Sequence, residues 1–437
     1  MNRIKILLGM GLILALLLTA CEGLPFDLPW QIGDVATPTA PPDVVGERTP
    51  TPDVPLEVEE TPPPITSLTV WVPPEMDPQL DSEASTLFTD RLSAFSDANG
   101  GIEINVRVKA ASGVGGLLDS LTASSAAAPD SLPDLIVLSR QDLETAALKS
   151  LIFSMDGMTE IPDDADWYDF TREMALIQGS TFGLPFAADA LALVYRPENI
   201  PELPTNWPAL FEAELVLAFP VEQDQSLFPM TMYLAEGGVL QDAQRRPMLE
   251  LSPLTEVFRL LDQGVQAGTF PEWLNQYQTS GQVWTAFRDG QVDLAVTWVS
   301  NYLEETPADA MLASLFPGTE GVVSMGTGMS WALATPEEYR HPLAVALAEF
   351  LVQPEYLAEW TQAAGYLPPR PSSLEGWRNQ GIRTTISQIA QTTVLRPSNE
   401  IILSLGSFLR DGSRQVLQGL VDPAQAAQLV LESLGDG

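Results

Sequence analysis

The chain has few residues whose types and spacing could support catalysis. The stretch from Gly328 to Ala332 has the form of a nucleophile elbow around Ser330, but the final glycine is absent. A serine triad would also depend on His341, the single histidine, which we expect to be exposed at a helix start. HExxH, CxxC and Walker sequences do not occur, so the common metal and nucleotide chemistries are excluded. Glycoside hydrolysis by paired carboxylates stays open, because the chain has 58 acidic residues.

Cys21 is the single cysteine of the 437 residues, so no disulfide forms within the chain. It follows an apolar run from Ile6 to Leu18 with basic residues before it. At about 1.5 Å per residue this run is too short to cross a ~30 Å hydrocarbon core, and it reads as a secretory signal. The small residues Thr19 and Ala20 resemble a bacterial lipobox, in which the cysteine sulfur is acylated. We therefore predict a lipid anchor on Cys21; the alternative is an ordinary signal peptide with an incidental cysteine.

Residues 22–66 are rich in proline, with 11 prolines in 45 residues. Proline lacks an amide donor, and such a segment cannot bury enough apolar surface to fold. We predict a signal peptide over residues 1–20 and, over residues 21–66, the lipidated cysteine with a disordered stalk.

The remaining body, from residue 67 onwards, is too long for a single hydrophobic core, so we expect two domains. It has 49 acidic and 18 basic residues, a net charge of −31. This charge argues against nucleic acid as a partner, because phosphate binding requires clustered lysine and arginine. It also argues against a body that lies flat on anionic lipid.

The first part of the body alternates strands and helices. Strands are predicted over Leu68 to Val72, Ile102 to Val108 and Leu135 to Leu138, with helices over Leu87 to Ala98 and Leu117 to Ser125. Right-handed crossovers then give an open parallel sheet, with ligand crevices at the carboxyl ends of its strands.

The chain then leaves this domain for a second one. Trp167 to Gln178 is predicted to be helical, Thr181 to Gly183 a turn and Pro185 a break, before an apolar run from Ala190 to Tyr195. A second set of elements follows: strands over Leu215 to Phe219 and Val292 to Val299, and helices over Leu227 to Glu236 and Leu254 to Ala267.

Four segments together resemble the extracellular solute-binding proteins of ABC importers, the family that includes maltose-binding and other sugar-binding lipoproteins. They are LTVWVPPE, GLPFAADALALVYRPENI, FRDGQVDLAVTW and MSWALATPEEYRHPLAVALAEFLVQPEYLAEWTQAAGYLPPR. They occur in the family's order, and the resemblance covers Leu68 to Leu434.

The resemblance implies an α/β fold of two lobes, the type II periplasmic-binding-protein-like fold, with each lobe an open α/β sheet and a hinge of several crossings. We place these crossings near residues 187–189, 322–328 and 365–369. The first lobe is then residues 67–187 with about 329–364, and the second is residues 188–326 with about 367–434.

The implied function is capture of a small solute, a sugar or oligosaccharide, and its delivery to the permease subunits of an ABC transporter. Neither catalysis, a cofactor nor a metal is expected. The protein is expected to be a monomer, held by its lipid on the outer face of the cytoplasmic membrane or in the periplasm. The alternatives are an anchored glycan-acting hydrolase and a ligand sensor or adhesin with the same fold.

Several candidate ligand contacts follow from the resemblance. Trp298 ends a strand where the family places an aromatic residue against the solute, and sugar C–H faces pack well on an indole; core packing is the alternative. Asp189 lies at a hinge crossing, where a carboxylate can accept from paired hydroxyls; the alternative is a charge that faces solvent at the hinge. The residues that follow two strands of the first sheet are further candidates, namely Glu75, Ser139 and Arg140. For each of them, a ligand contact and a position away from the ligand are equally open.

The remaining candidates come from the second lobe and the hinge. Gln225 and Ser226 resemble the contact loop of the second lobe, but the aromatic residue often found there is missing. Trp331 and Tyr366 are aromatic residues at the other crossings, and Trp331 could equally be buried core.

Overall fold

The computed structural model describes residues 62–435, which belong to one compact unit. Cys21, the apolar N-terminal run and nearly all of the predicted stalk lie outside the described residues. None of the helices in residues 62–435 combines the length and the apolar character that crossing a membrane would need.

Eleven strands occur in this part of the chain. They are β1 (Ser67–Val72), β2 (Glu103–Val108), β3 (Leu135–Ser139), β4 (Leu176–Ile177), β5 (Ser180–Thr181), β6 (Leu184–Tyr195), β7 (Leu217–Ala218), β8 (Leu294–Trp298), β9 (Met311–Ala313), β10 (Ser324–Leu333) and β11 (Thr393–Leu395).

Fifteen α-helices accompany these strands within residues 62–435. They are α1 (Glu83–Ala98), α2 (Leu117–Ala127), α3 (Arg140–Leu148), α4 (Asp169–Met174), α5 (Trp207–Glu212), α6 (Leu227–Ala235), α7 (Leu251–Gln266), α8 (Ser280–Arg288), α9 (Val299–Glu305), α10 (His341–Leu351), α11 (Pro354–Ala364), α12 (Pro371–Glu375), α13 (Gln380–Gln391), α14 (Asn399–Leu417) and α15 (Pro423–Gly435). Short 3-10 helices cover Pro74–Met76, Pro129–Ser131, Ile161–Asp163, Glu272–Gln276 and Glu338–Arg340.

Nine of the strands form one mixed sheet in the order β2-β1-β3-β10-β6-β8-β7, with β11 also paired to β10 and β9 to β6. Strand β1 pairs in parallel with β2 and β3, so the predicted β-α-β-α-β unit and the α/β fold class are confirmed. Strand β10 runs antiparallel to β3 and β6. The two predicted sheets are halves of one sheet, because β6 and β10 continue through both.

Two local predictions in the region between the halves are wrong. Pro185 does not break the chain, because it lies inside β6 opposite Ser330, where the pairing register shifts between Met329 and Ser330. A proline without an amide donor is tolerated in a sheet at such a bulge. The helix expected over Trp167 to Gln178 covers α4 alone, and the hairpin of β4 and β5 follows it.

Buried apolar side chains form separate cores on the two halves of the sheet. The first core includes Phe88 and Trp360 on one face of β1, β3 and β10, and Leu143 from α3 on the other face. The second core includes Phe258 from α7 and Leu405 from α14. Because α3 packs in the first core and α14 in the second, contacts between these two helices join the two halves.

Helix α4 packs in the second core. It falls in the segment that we assign to the first lobe, yet Phe170 and Met174 pack in the second core. A Cβ atom on Gly328 of β10 would lie 2.5 Å from the Met174 methyl group, so this glycine lets α4 approach the sheet.

A buried ion pair ties the first half of the sheet to the start of α10. The guanidinium of Arg340 donates to both carboxylate oxygens of Asp134, at 2.6 and 2.8 Å, and to the carbonyl oxygen of Ser67 at 2.7 Å. Asp134 also accepts from the amide of Thr69 at 2.7 Å. The pair thereby fixes the entry to β3 against β1.

We expect Arg340→Met to lower the free energy of unfolding by about 3 kcal/mol, because it leaves the Asp134 carboxylate buried without its cation. Arg246→Met is the matched control, since Arg246 pairs with Asp242 at the surface with a side chain that is 75% exposed. The control is expected to cost less than about 1 kcal/mol. Urea denaturation measures both, and equal losses would contradict a special role for the buried pair.

Candidate functional site

The carboxyl ends of several strands converge along the line where the two halves of the sheet meet. Ser139, the last residue of β3, lies opposite Met329 of β10, and Met329 lies opposite Ala187 of β6. Trp298, the last residue of β8, lies opposite Leu191 of β6. Ligand sites in open α/β sheets occupy such positions, so the middle of β6 and β10 forms the floor of a candidate site.

Strands β3 and β11 meet end to end beside β10. Leu395 of β11 lies opposite Gly326, and Ser139 lies opposite Met329 a few residues further along β10. Because β11 is parallel and β3 antiparallel to β10, both carboxyl ends point into the same gap. Arg140 and Arg396 emerge there, one from each half.

The carboxylate of Asp189 is held by the first turn of α9. It accepts from the Ser300 amide at 3.1 Å, from the Ser300 hydroxyl at 2.5 Å and from the amide of Ala190 at 2.9 Å. Burial raises the pKa of Asp189 to about 6, although these hydrogen bonds favour the charged form. Asp189 therefore positions α9, and with it Trp298, against β6.

Tyr366 lies within the electrostatic influence of Glu75 and Asp189. Burial raises the pKa of the Tyr366 phenol, and the charges of Glu75 and Asp189 raise it further. The Tyr366 ring stacks on Trp360, with ring centroids 6.1 Å apart and planes 8° apart. Glu75 is exposed and belongs to the first half, whereas Asp189 and Tyr366 lie at the hinge crossings.

Gln225 and Ser226 lie on the second half, at the start of α6. The amide nitrogen of Gln225 lies 3.4 Å from the Gln141 side-chain oxygen of α3, so this loop contacts the first half. Ser226 has a φ of 48° and a buried hydroxyl without a hydrogen-bond partner in residues 62–435. A Cβ atom on Gly406 of α14 would lie 2.6 Å from the Asp224 carbonyl oxygen, so Gly406 allows the loop to approach α14.

A groove of about 420 Å³ runs between α3 and the second half. Its walls include Gln141 and Thr145 from α3, Gln225 from the loop before α6, and Asn399 and Leu403 from α14. The side chain of Leu403 is 81% exposed. The groove thus combines amide and hydroxyl groups from both halves with one exposed apolar side chain.

Beside this groove Arg396 is buried and Arg140 is half-buried. Arg140 Nη1 lies 3.8 Å from a carboxylate oxygen of Glu144 on the same helix, and burial lowers the pKa of Arg140. Burial also lowers the pKa of Arg396 to about 10. The sequence analysis does not identify Glu144, Arg396 and Asn399 as site residues. The sequence feature next to them is Ser398, a residue type that favours helix N-caps, and it is the N-cap of α14.

Trp331 does not face the groove. Its side chain is 1% exposed and stacks between Phe88 and Phe186, at centroid distances of 6.2 and 5.0 Å. The structure therefore places Trp331 in the first core, because its position on β10 directs it to the face that α1 covers, and the site that we propose leaves it out.

The residues of the possible nucleophile elbow are arranged differently from a catalytic pair. Ser330 is buried within β10, where an elbow would need a turn between a strand and a helix. His341 is buried rather than exposed, and its Nε2 atom lies 2.9 Å from the Thr335 carbonyl oxygen. Residues 62–435 also contain no group of three or more His, Cys, Asp or Glu side chains that could hold a metal ion.

One of the comparisons with known proteins identifies a family. The family model described as bacterial extracellular solute-binding protein matches residues 90–384. No curated protein sequence matches the chain.

Solved structures share the fold at low sequence identity. A cyclo/maltodextrin-binding protein complexed with maltotetraose has 17% identity and a TM-score of 0.70, covering 86% of this chain and 98% of its own. The sugar-binding protein MalE from Xanthomonas citri has 18% identity and a TM-score of 0.68, covering 85% and 97%. An extracellular solute-binding protein from Staphylococcus aureus in complex with maltose has 16% identity and a TM-score of 0.68, covering 86% and 98%.

We expect the contribution of Asp189 to stability to depend on pH. Because its folded pKa of about 6 lies above the unfolded value near 4, this contribution is present below pH 4 and is lost as the pH rises through 6. Asp189→Asn keeps the shape and removes the titration. Relative to Asp189→Asn, the wild type should lose about 2 kcal/mol of unfolding free energy between pH 4 and pH 7.

Urea denaturation across this pH range measures the difference. Asp90→Asn, at an exposed position on α1, is the control and should track the wild type. If the unfolding free energies of the wild type and of Asp189→Asn differ by the same amount at every pH, the Asp189 carboxyl is not a buried titrating group.

Proposed function

The chain belongs to the bacterial extracellular solute-binding proteins, and from this premise we propose that it captures a sugar or short oligosaccharide between its two lobes and delivers it to an ABC permease. One observation carries the proposal: Trp298 and the polar side chains of both halves converge at the carboxyl ends of the strands. Such a site, lying between two cores, suits a solute with one apolar face and many hydroxyls.

Carbohydrate is the solute class that the site favours. Trp298 is half-buried, so part of its indole is free to pack against the C–H face of a sugar ring. Glu75, Gln225, Ser139 and Arg140 provide donors and acceptors at the margin of the same floor. Solved structures with this fold include proteins in complex with maltotetraose and with maltose.

The lobes that we propose are residues 67–187 with about 329–364, and residues 188–326 with about 367–434. Strands β6 and β10 cross between the cores, and Ala188 exchanges two backbone hydrogen bonds with Leu367, at 2.8 and 2.9 Å. These three connections support a hinge. A solute that contacts both lobes would favour the conformation in which they are close, and a permease could recognise that difference.

We propose that the mature chain is a monomer, held on the outer face of the cytoplasmic membrane, or in the periplasm, by lipid on Cys21. One acyl chain holds a protein only marginally, while a diacylglycerol with a further N-acyl chain holds it firmly. The proline-rich segment would then keep the acidic body away from anionic headgroups.

The first test is a screen of the purified protein against neutral oligosaccharides, beginning with maltose, maltotriose and maltotetraose. We expect at least one to raise the Tm, to bind in calorimetry and to be recovered unchanged by mass spectrometry. Trp298→Ala should weaken that binding at least tenfold, because the stacking surface is lost. Trp273→Ala is the matched control, since Trp273 is 42% exposed in a 3-10 helix of the second half. The proposal fails if no glycan binds or if product is released.

A second test concerns the anchor. Expressed in a bacterial host with an alkyne fatty acid, the wild-type chain should take up the label and sediment with membranes. Cys21→Ala should lose the label and most of the membrane fraction, because the acylated sulfur is absent. Thr19→Ser keeps a small residue before the cysteine and should behave as the wild type. An unlabelled wild-type chain in the soluble fraction would rule out lipidation.

A further inference from the structure

Helices α3 and α14 are joined by hydrogen bonds across the gap between the two cores. The Asn399 amide donates to both carboxylate oxygens of Glu144, at 3.0 and 3.1 Å. The Asn399 side chain donates to the Gln141 carbonyl oxygen at 2.9 Å and to the Thr145 hydroxyl at 3.2 Å. Three residues of α3 therefore accept hydrogen bonds from the first residue of α14.

Glu144 caps a helix that belongs to the other core. Ser398, the N-cap of α14, reaches the Ile401 amide at 3.5 Å, so the Asn399 amide of the first turn is left to Glu144. A carboxylate is favoured at a helix N-terminus, where the free amides carry partial positive charge. Glu144 is 6% exposed, so water screens this interaction little.

The charge of Glu144 acts on two arginines, half-buried Arg140 and buried Arg396. Arg140 comes from the first half, with its Nη1 atom 3.8 Å from a carboxylate oxygen of Glu144, and Arg396 comes from the second half. Arg396 also feels the repulsion of Arg140 and the attraction of Asp142, and Glu173 faces Arg140. Without Glu144, the repulsion between Arg140 and Arg396 would lose one of the carboxylates that offset it.

We propose that Glu144 is a positioning residue that latches the two walls of the groove together and so sets how readily the lobes part. This inference concerns the regulation of the proposed site and rests on the proposed function for its meaning. The hydrogen bonds of Glu144 lie at the margin of the groove, so opening the groove requires that Glu144 release the Asn399 amide.

The experiment measures the distance between the walls without any solute. In the full chain with Cys21→Ser, spin labels are placed at Leu148→Cys on α3 and Leu403→Cys on α14, both exposed positions. Pulsed electron resonance then gives the distribution of distances across the groove. Glu144→Gln keeps the size and one acceptor oxygen but removes the charge.

We expect Glu144→Gln to reduce the ratio of short to long distances about tenfold, since the hydrogen bonds from the Asn399 amide to a charged group become weaker neutral ones. Glu256→Gln is the matched control, because Glu256 pairs with Arg259 within α7 and leaves the lobes unconnected. Its distribution should match that of the parent chain.

Asn399→Asp is the second variant, in case Glu144→Gln fails to fold. It leaves Glu144 in place and sets a carboxylate against it, and it should lengthen the distances in the same way. The inference is overturned if the folded variants retain the parent distribution. Because no solute is present, this result is independent of the glycan screen, so failure of the inference can be distinguished from failure of the proposed function.

Discussion

The pairing of β6 with β10 is the constraint on which the rest of the structure depends. Both strands run through both halves of the sheet, and their antiparallel register fixes where each neighbouring strand ends. Ser139 and Trp298 reach the same line from opposite halves because β3 pairs with β10 and β8 pairs with β6. Backbone hydrogen bonds between the strands therefore form the floor of the site and determine where its side chains lie.

The local part of the fold could be predicted from the sequence because it is encoded locally. Runs such as LTVWV, IEINVRV and LIVL alternate or remain apolar in the way that strands do, and they became β1, β2 and β3. The continuity of β6 through Pro185 could not be predicted, since the compensating bulge lies in β10, far along the chain. Pattern reasoning sees the missing amide donor and does not see the partner that tolerates it.

The same limit applies to the site. The position of Trp298 at a strand end follows from the strand pattern, and the structure places it there. Trp331 lies in a strand after a glycine-rich stretch. Because side chains alternate between the two faces of β10, its indole points into the first core. The roles of Glu144 and Asn399 depend on each other and on a packing contact between distant segments. No spacing within the sequence indicates such a pair.

The two cores and the contacts between them differ in strength, and under the proposed function that difference would let the two lobes part. Each core is held by buried aromatic and aliphatic side chains such as Phe88 or Phe258, whose burial contributes about 1.5–3 kcal/mol apiece. The groove is spanned by a few polar contacts, such as that between Gln141 and Gln225, and a neutral hydrogen bond contributes about 1 kcal/mol. Separation of the walls therefore costs far less than unfolding of either core. The two walls of the groove contact each other through amides, hydroxyls and a carboxylate. A solute rich in hydroxyls can form hydrogen bonds with the same groups and thereby bridge the two walls.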